Sequence, residues 1–146
     1  MTIYMGTSKV PPEKTAAEIQ ALLGTKGARH VLTEFDKGEI VALSFAIDLR
    51  GKEVGFRLPV RWESYYELLK KEYRSKPRSK FPTAVQAKRT AWRVILRWVQ
   101  AQFALIETEM VGLVEVMLPY AISGDQTLYE KLAENEFKML EGPEGG

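Results

Sequence analysis

The sequence predicts an α+β domain: an antiparallel three-stranded meander with helices packed on one face, in the order α-β-β-β-α-α-α. Three observations predict it. Residues 41–49 and 53–60 place apolar side chains on one face and small or polar ones on the other with period two, and Asp36-Lys37-Gly38 and Arg50-Gly51 are turns between strand-length segments. On either side of that stretch the apolar residues recur every three or four positions, as on a helix face. The breaks between the period-two segments are hairpin-sized, which makes consecutive strands antiparallel neighbours. A chain of 146 residues is expected to form one domain. It can bury roughly 70% of its unfolded surface, so it needs neither disulfide nor metal to hold a core.

Residues 1–12 read as a flexible arm, closed by Pro11 and Pro12. Thr15 and Glu18 have capping-box spacing, and Ile19, Leu22 and Leu23 form an apolar stripe that Gly24 ends, so a helix is expected over 13–23. Strands are expected over 29–35, 39–49 and 53–60. In the second, Val41, Leu43, Phe45, Ile47 and Leu49 fall on one face, and Ala42, Ser44, Ala46 and Asp48 on the other. In the third, Val54, Phe56, Leu58 and Val60 oppose Gly55, Arg57, Pro59 and Arg61, and Pro59 marks a strand end or edge. Trp62, Tyr65, Tyr66, Leu69 and Tyr73 place a helix over 62–73. Residues 75–82, SKPRSKFP, form a basic loop.

Thr83 can cap a long helix running at least to Met110. Trp92, Leu96, Val99, Phe103, Ile106 and Met110 line one side, and Ala91, Val94, Trp98, Ala101 and Leu105 a second. A helix apolar on most sides is buried or covered by another subunit, so a homo-oligomer is expected. Pro119 ends that region. Asp125 can cap a last helix over 126–136. The chain thus divides into an arm (1–12), one α+β domain (13–137) and a frayed acidic tail (138–146).

Composition excludes several functions. With no cysteine and one histidine, His30, there is no thiol nucleophile and no Cys- or His-rich metal site. There is no GxSxG elbow, no GxxxxGK[ST] and no GxGxxG, and the carboxylates are scattered or sit at turns. No cofactor, metal or catalytic activity is expected. No run approaches the ~20 apolar residues of a membrane span, and residues 1–10 hold no apolar block of leader length. A cytoplasmic location in a bacterial host is expected.

Charge is the informative signal. Residues 1–56 are net neutral, residues 57–98 carry +9 and residues 99–146 carry −7, which the overall +2 conceals. Aromatics are interleaved with the basic block, and a cationic path with stacking faces is the chemistry that binds single-stranded nucleic acid. Arg57, Arg61, Lys70, Lys71, Arg74, Lys76, Arg78 and Lys80 are the expected phosphate contacts. Arg89, Arg93 and Arg97 form a polar stripe expected to line the same groove. Trp62, Tyr73 and Phe81, at helix ends or in the basic loop, are the stacking candidates, whereas Trp92 and Trp98 read as core. No helix-turn-helix, zinc-finger, RNP or KH pattern is present, which favours backbone-led binding over sequence readout.

The stretches KTAAEIQALLGTKGARHVLTEFDKGEIVALSFAIDLRGKEVGFRLPV, QAKRTAWRVILRWVQAQFALIETEMV and VMLPY resemble a group of small phage and prophage proteins, over about residues 14–132. The resemblance brings no activity and no functional residues. It implies a mobile-element setting, where small basic proteins handle single strands in replication or recombination. A meander followed by a helix is also similar in element order to the core of single-strand annealing proteins, without their motifs.

The combined expectation is a non-enzymatic, homo-oligomeric protein that binds single-stranded DNA in preference to RNA. The alternative is a phage protein-binding module that inhibits a host nuclease or defence complex through its acidic C-terminal third.

Overall fold

The computed structural model describes residues 4–74 and 83–142, and the side chains of Tyr73 and Arg74 fall outside that description. The elements are α1 (Pro12–Thr25), β1 (His30–Asp36), β2 (Glu39–Leu49), β3 (Lys52–Arg57), α2 (Trp62–Arg74), α3 (Ala84–Glu107), α4 (Leu113–Met117), β4 (Ile122–Ser123), β5 (Gln126–Thr127) and α5 (Leu128–Glu134). Short 3₁₀ turns occupy Leu118–Tyr120 and Lys138–Leu140. The α-β-β-β-α-α-α order holds for the larger elements. Helix α4 and the β4–β5 hairpin are additions, each too short to display a period in the sequence.

Strands β1, β2 and β3 form one antiparallel sheet in that order. Both hairpins turn through two residues at positive φ: Lys37 and Gly38, then Arg50 and Gly51. Such turns match the right-handed twist of the strands they join. Strand β3 stops at Arg57, earlier than expected, because Pro59 has no N–H to continue a ladder. Leu58 still donates its N–H to the Leu43 carbonyl at 3.0 Å.

The alternation of β2 is corrected at one point. Glu34 pairs with Ala42 but Phe35 pairs with Ile40, which leaves Val41 as a bulge without a partner. The extra residue shifts the alternation, so Ile40 joins the core and Val41 is exposed. The remaining residues keep their faces. Phe45 and Phe56 stand opposite one another and stack at 5.3 Å. Around them close Ile19 and Leu23 of α1, Trp92, Leu96, Val99 and Phe103 of α3, and Met117 of α4.

Helix α1 starts earlier than the capping-box reading placed it. Pro11 is its N-cap and Pro12 its first residue, where a missing N–H costs nothing. Thr15 is instead buried, and Glu18 pairs with Arg93 of α3. Helix α3 is capped by Thr83, whose hydroxyl accepts from the Gln86 N–H at 3.1 Å. It ends at Glu107 and not Met110, because Glu109 takes a left-handed conformation with φ 62°. Its buried side chains meet α1, α2 and the sheet core, while Val85 and Ala101 stay exposed. Trp98, half-buried, meets the edge of Tyr120 at 5.4 Å. Gln86 also donates to the Gly6 and Ser8 carbonyls, at 3.0 and 2.8 Å, and Thr90 to the Met5 carbonyl at 3.3 Å. These bonds lay residues 5–8 along α3.

Helix α5 is capped by Thr127, not Asp125. Asp125 lies in the hairpin turn beside Gly124, at φ 71°. Among the described residues no helix is long and apolar enough to cross a membrane.

Candidate functional site

The sheet has two faces of different character. The face away from the core carries Leu32 and Glu34 of β1, Ala42, Ser44 and Ala46 of β2, and Gly55 and Arg57 of β3, in register with one another. Its centre is floored by small residues. The C-terminal segment overhangs one end: Phe56 bridges to Ala121, and Ile122 lies over Gly55. Thr127 and Glu130 of the same segment face Arg57 across a cleft between the sheet and the start of α5.

That cleft has a volume of about 490 Å³ and is lined by Arg57, Arg61, Tyr120, Tyr129 and Glu130, with Val41, Ala42 and Leu58–Val60. Two further depressions adjoin it. One, of about 420 Å³, shares Arg57, Thr127 and Glu130 and extends to Leu32 and Ile122. The other, of about 440 Å³, shares Val41 and Val60 and extends to Trp62, Lys88 and Lys37. Together they make a trough from the outer sheet face, where Ala42 and Ser44 are buried, to the N-terminus of α2.

Electrostatics along the trough are mixed. Arg57 donates to a Glu34 carboxylate oxygen at 2.6 Å, both side chains being about 40% exposed (41% and 42%). Arg61 lies over the ring of Tyr129 at 5.3 Å. At the far end Lys88 lies over Trp62 at 4.8 Å and pairs with Glu39 at 2.6 Å. Trp62 also stacks with Tyr66 at 6.3 Å. Glu130 completes the α5 capping box, accepting from the Thr127 N–H at 2.9 Å. The two Thr127 hydrogen bonds, and then the charges of Arg57 and Arg61, hold its carboxyl below the ordinary glutamate range.

The structure therefore brings together Arg57, Arg61 and Trp62 from the expected binding residues. Lys70 and Lys71 lie further along α2. Lys70 pairs with Glu67 at 2.9 Å and sits over Tyr66 at 4.5 Å, and Lys71 is exposed. The α3 stripe belongs to a different surface. Arg93 is mostly buried and pairs with Glu18 of α1. Arg97 donates to Gln100 at 3.0 Å. Arg89 lines a small cleft beside Pro11, Pro12 and Val85, its Nε buried without a partner. None of these three lines the trough. Lys76, Arg78, Lys80 and Phe81, with the side chains of Tyr73 and Arg74, lie outside the described residues.

Sequence reasoning missed Glu34, Tyr129 and Glu130. The Thr127-x-x-Glu130 spacing is itself a capping-box signal and could have placed Glu130 at a helix start. The other two depend on which strand and which helix face each other. Among the described residues no three His, Asp or Glu side chains are placed to hold a metal ion. Compared with known proteins, the chain matches no family model, no curated protein and no solved structure.

Proposed function

We propose that the chain binds single-stranded nucleic acid, DNA in the first instance, along the trough that runs from Arg57 to Trp62. One observation carries the reading. Arg57 of β3, Arg61 ahead of α2 and Tyr129 of α5 line one cleft, and Trp62 at the start of α2 lines a second that adjoins it at Val41 and Val60. Arginines there engage phosphates, and the rings of Trp62 and Tyr129 supply faces for bases, with Lys88 and Arg61 ready to exchange a ring for a phosphate. The +9 of residues 57–98 supplies long-range attraction to a polyanion. The phage-like resemblance and the annealing analogy remain part of this proposal.

The test is fluorescence anisotropy of a labelled single strand at two salt concentrations, with duplex as competitor. Binding should weaken steeply with salt. Arg61→Gln should reduce the salt slope by about one. Trp62→Ala should cost ~1–3 kcal/mol, the worth of one stacked base. No binding at low salt would overturn the proposal, as would equal preference for duplex.

A further inference from the structure

The cleft beside α5 combines the groups that one nucleotide needs. Its volume of about 490 Å³ falls in the ~300–1,000 Å³ range of small-ligand sites. Arg57 is engaged by Glu34. Arg61 makes no ion pair among the described residues and rests on the Tyr129 ring at 5.3 Å. A phosphate that draws Arg61 away uncovers that ring for a base. Tyr129 and Glu130 are consecutive in the first turn of α5, and both line the cleft. The Glu130 carboxylate is fixed in place, because one oxygen accepts from the Thr127 N–H at 2.9 Å. Its other oxygen accepts no hydrogen bond among the described residues. The group is ionised at neutral pH, so it can only accept. The oxygen engaged by Thr127 keeps a further lone pair, since a carboxylate offers about four acceptor sites.

We infer that this cleft takes one guanine nucleotide of the bound strand, and that Glu130 selects the base. The inference rests on the single-strand reading and adds a base preference to it. Donors and acceptors decide the choice. The pairing edge of guanine presents two adjacent donors, N1–H and the N2 amino group, which match the two carboxylate oxygens. Adenine and cytosine each present one amino donor beside a ring-nitrogen acceptor. Thymine presents its N3–H between two carbonyl oxygens, which the carboxylate repels. The order of preference is guanine, then adenine and cytosine, then thymine. Arg61 holds the phosphate and the Tyr129 ring the face of the base, and neither distinguishes one base from another.

Fluorescence anisotropy with thymidine strands that carry a single central substitution tests it. At neutral pH and low salt, the strand with one deoxyguanosine should bind about tenfold more tightly than the all-thymidine strand, the scale of a bidentate base contact. Deoxyinosine, which lacks the N2 amino group, should fall between them. Glu130→Gln keeps a capping side chain, since glutamine serves at that position too. It should bring the guanine and thymine strands to within about twofold of each other, because an amide donates as well as accepts. Glu134→Gln, the same charge change further along α5, should keep the full preference. Equal binding of the guanine and thymine strands by the wild-type chain overturns the inference and leaves the single-strand reading standing. A preference that survives Glu130→Gln overturns the assignment to Glu130. The inosine comparison needs no variant: inosine binding as tightly as guanosine overturns the bidentate contact. Free deoxyguanosine monophosphate that competes as strongly as the guanine strand overturns the strand as the source of the nucleotide. Absence of binding by every strand overturns the single-strand reading, and this inference with it.

Discussion

Glu130 shows how one side chain joins the fold to the cleft. Its carboxylate caps α5 through the Thr127 N–H, while Arg57 and Arg61 act on it across the trough. The unfolded chain takes up this proton at the ordinary glutamate pKa, and the folded chain holds it more weakly. The stabilisation is therefore complete above the unfolded pKa and is lost as pH falls through the lower, folded one. An NMR titration should place the Glu130 midpoint below that of a free glutamate. Arg61→Gln should raise it part of the way back, and so should Thr127→Ala, which removes the hydroxyl's share and keeps the backbone N–H that is the largest cause. A wild-type midpoint at or above that of a free glutamate would refute the assignment. The group is exposed, so its effect on global stability is small; the local midpoint is the quantity to read.

Gly55 tests how the C-terminal hairpin sits on the sheet. A Cβ there would stand 3.4 Å from Ile122 Cδ1, an ordinary contact, with the Phe45 carbonyl at 4.0 Å. Gly55→Ala should therefore be tolerated and gain about 0.5–1 kcal/mol from reduced unfolded-state freedom. Gly55→Val pushes its extra methyls toward Ile122 and should cost about 1–3 kcal/mol, as overpacking does. Combining it with Ile122→Ala should recover most of that loss in denaturant unfolding; additive losses would show that the hairpin does not rest on Gly55. This packing was only half legible. Period-two alternation exposed the strands, and the small residues Ala42, Ser44, Ala46 and Gly55 were visible as one face. The β4–β5 hairpin that shelters part of it has two residues per strand, too few for any period. The bulge at Val41 was hidden for a related reason: Ile40 and Val41 are both apolar, so their composition does not say which one turns inward. The arm's attachment through Gln86 could not be read either, since a hydrogen bond across 80 residues leaves no local pattern.

Charge distribution decides what the assembled chain presents to its surroundings. The linear sequence displayed the +9 and −7 blocks plainly, but not which acids would fold against which bases. The α3 arginines looked continuous with Arg57 and Arg61 because helical spacing alone aligns them. The fold separates them by turning Arg93 onto Glu18 of α1. What remains is a molecule with net charge +2 in which, among the described residues, no ion pair joins the basic block to the acidic third. Fields from exposed charges decay over about 10 Å at 0.1 M salt, so a binding surface senses local patches and not the overall sum. The chain should therefore be retained at low salt and neutral pH by both cation- and anion-exchange resins. Retention on the anion exchanger is the discriminating result, because a molecule of net charge +2 with evenly mixed charge has no reason to stay there. Reversing Glu109 and Glu115 to lysine should abolish it while leaving cation-exchange retention in place. Flow-through of the wild-type chain on the anion exchanger would mean that the acidic third is neutralised in space, and the basic trough would then be weaker toward phosphate than its composition implies.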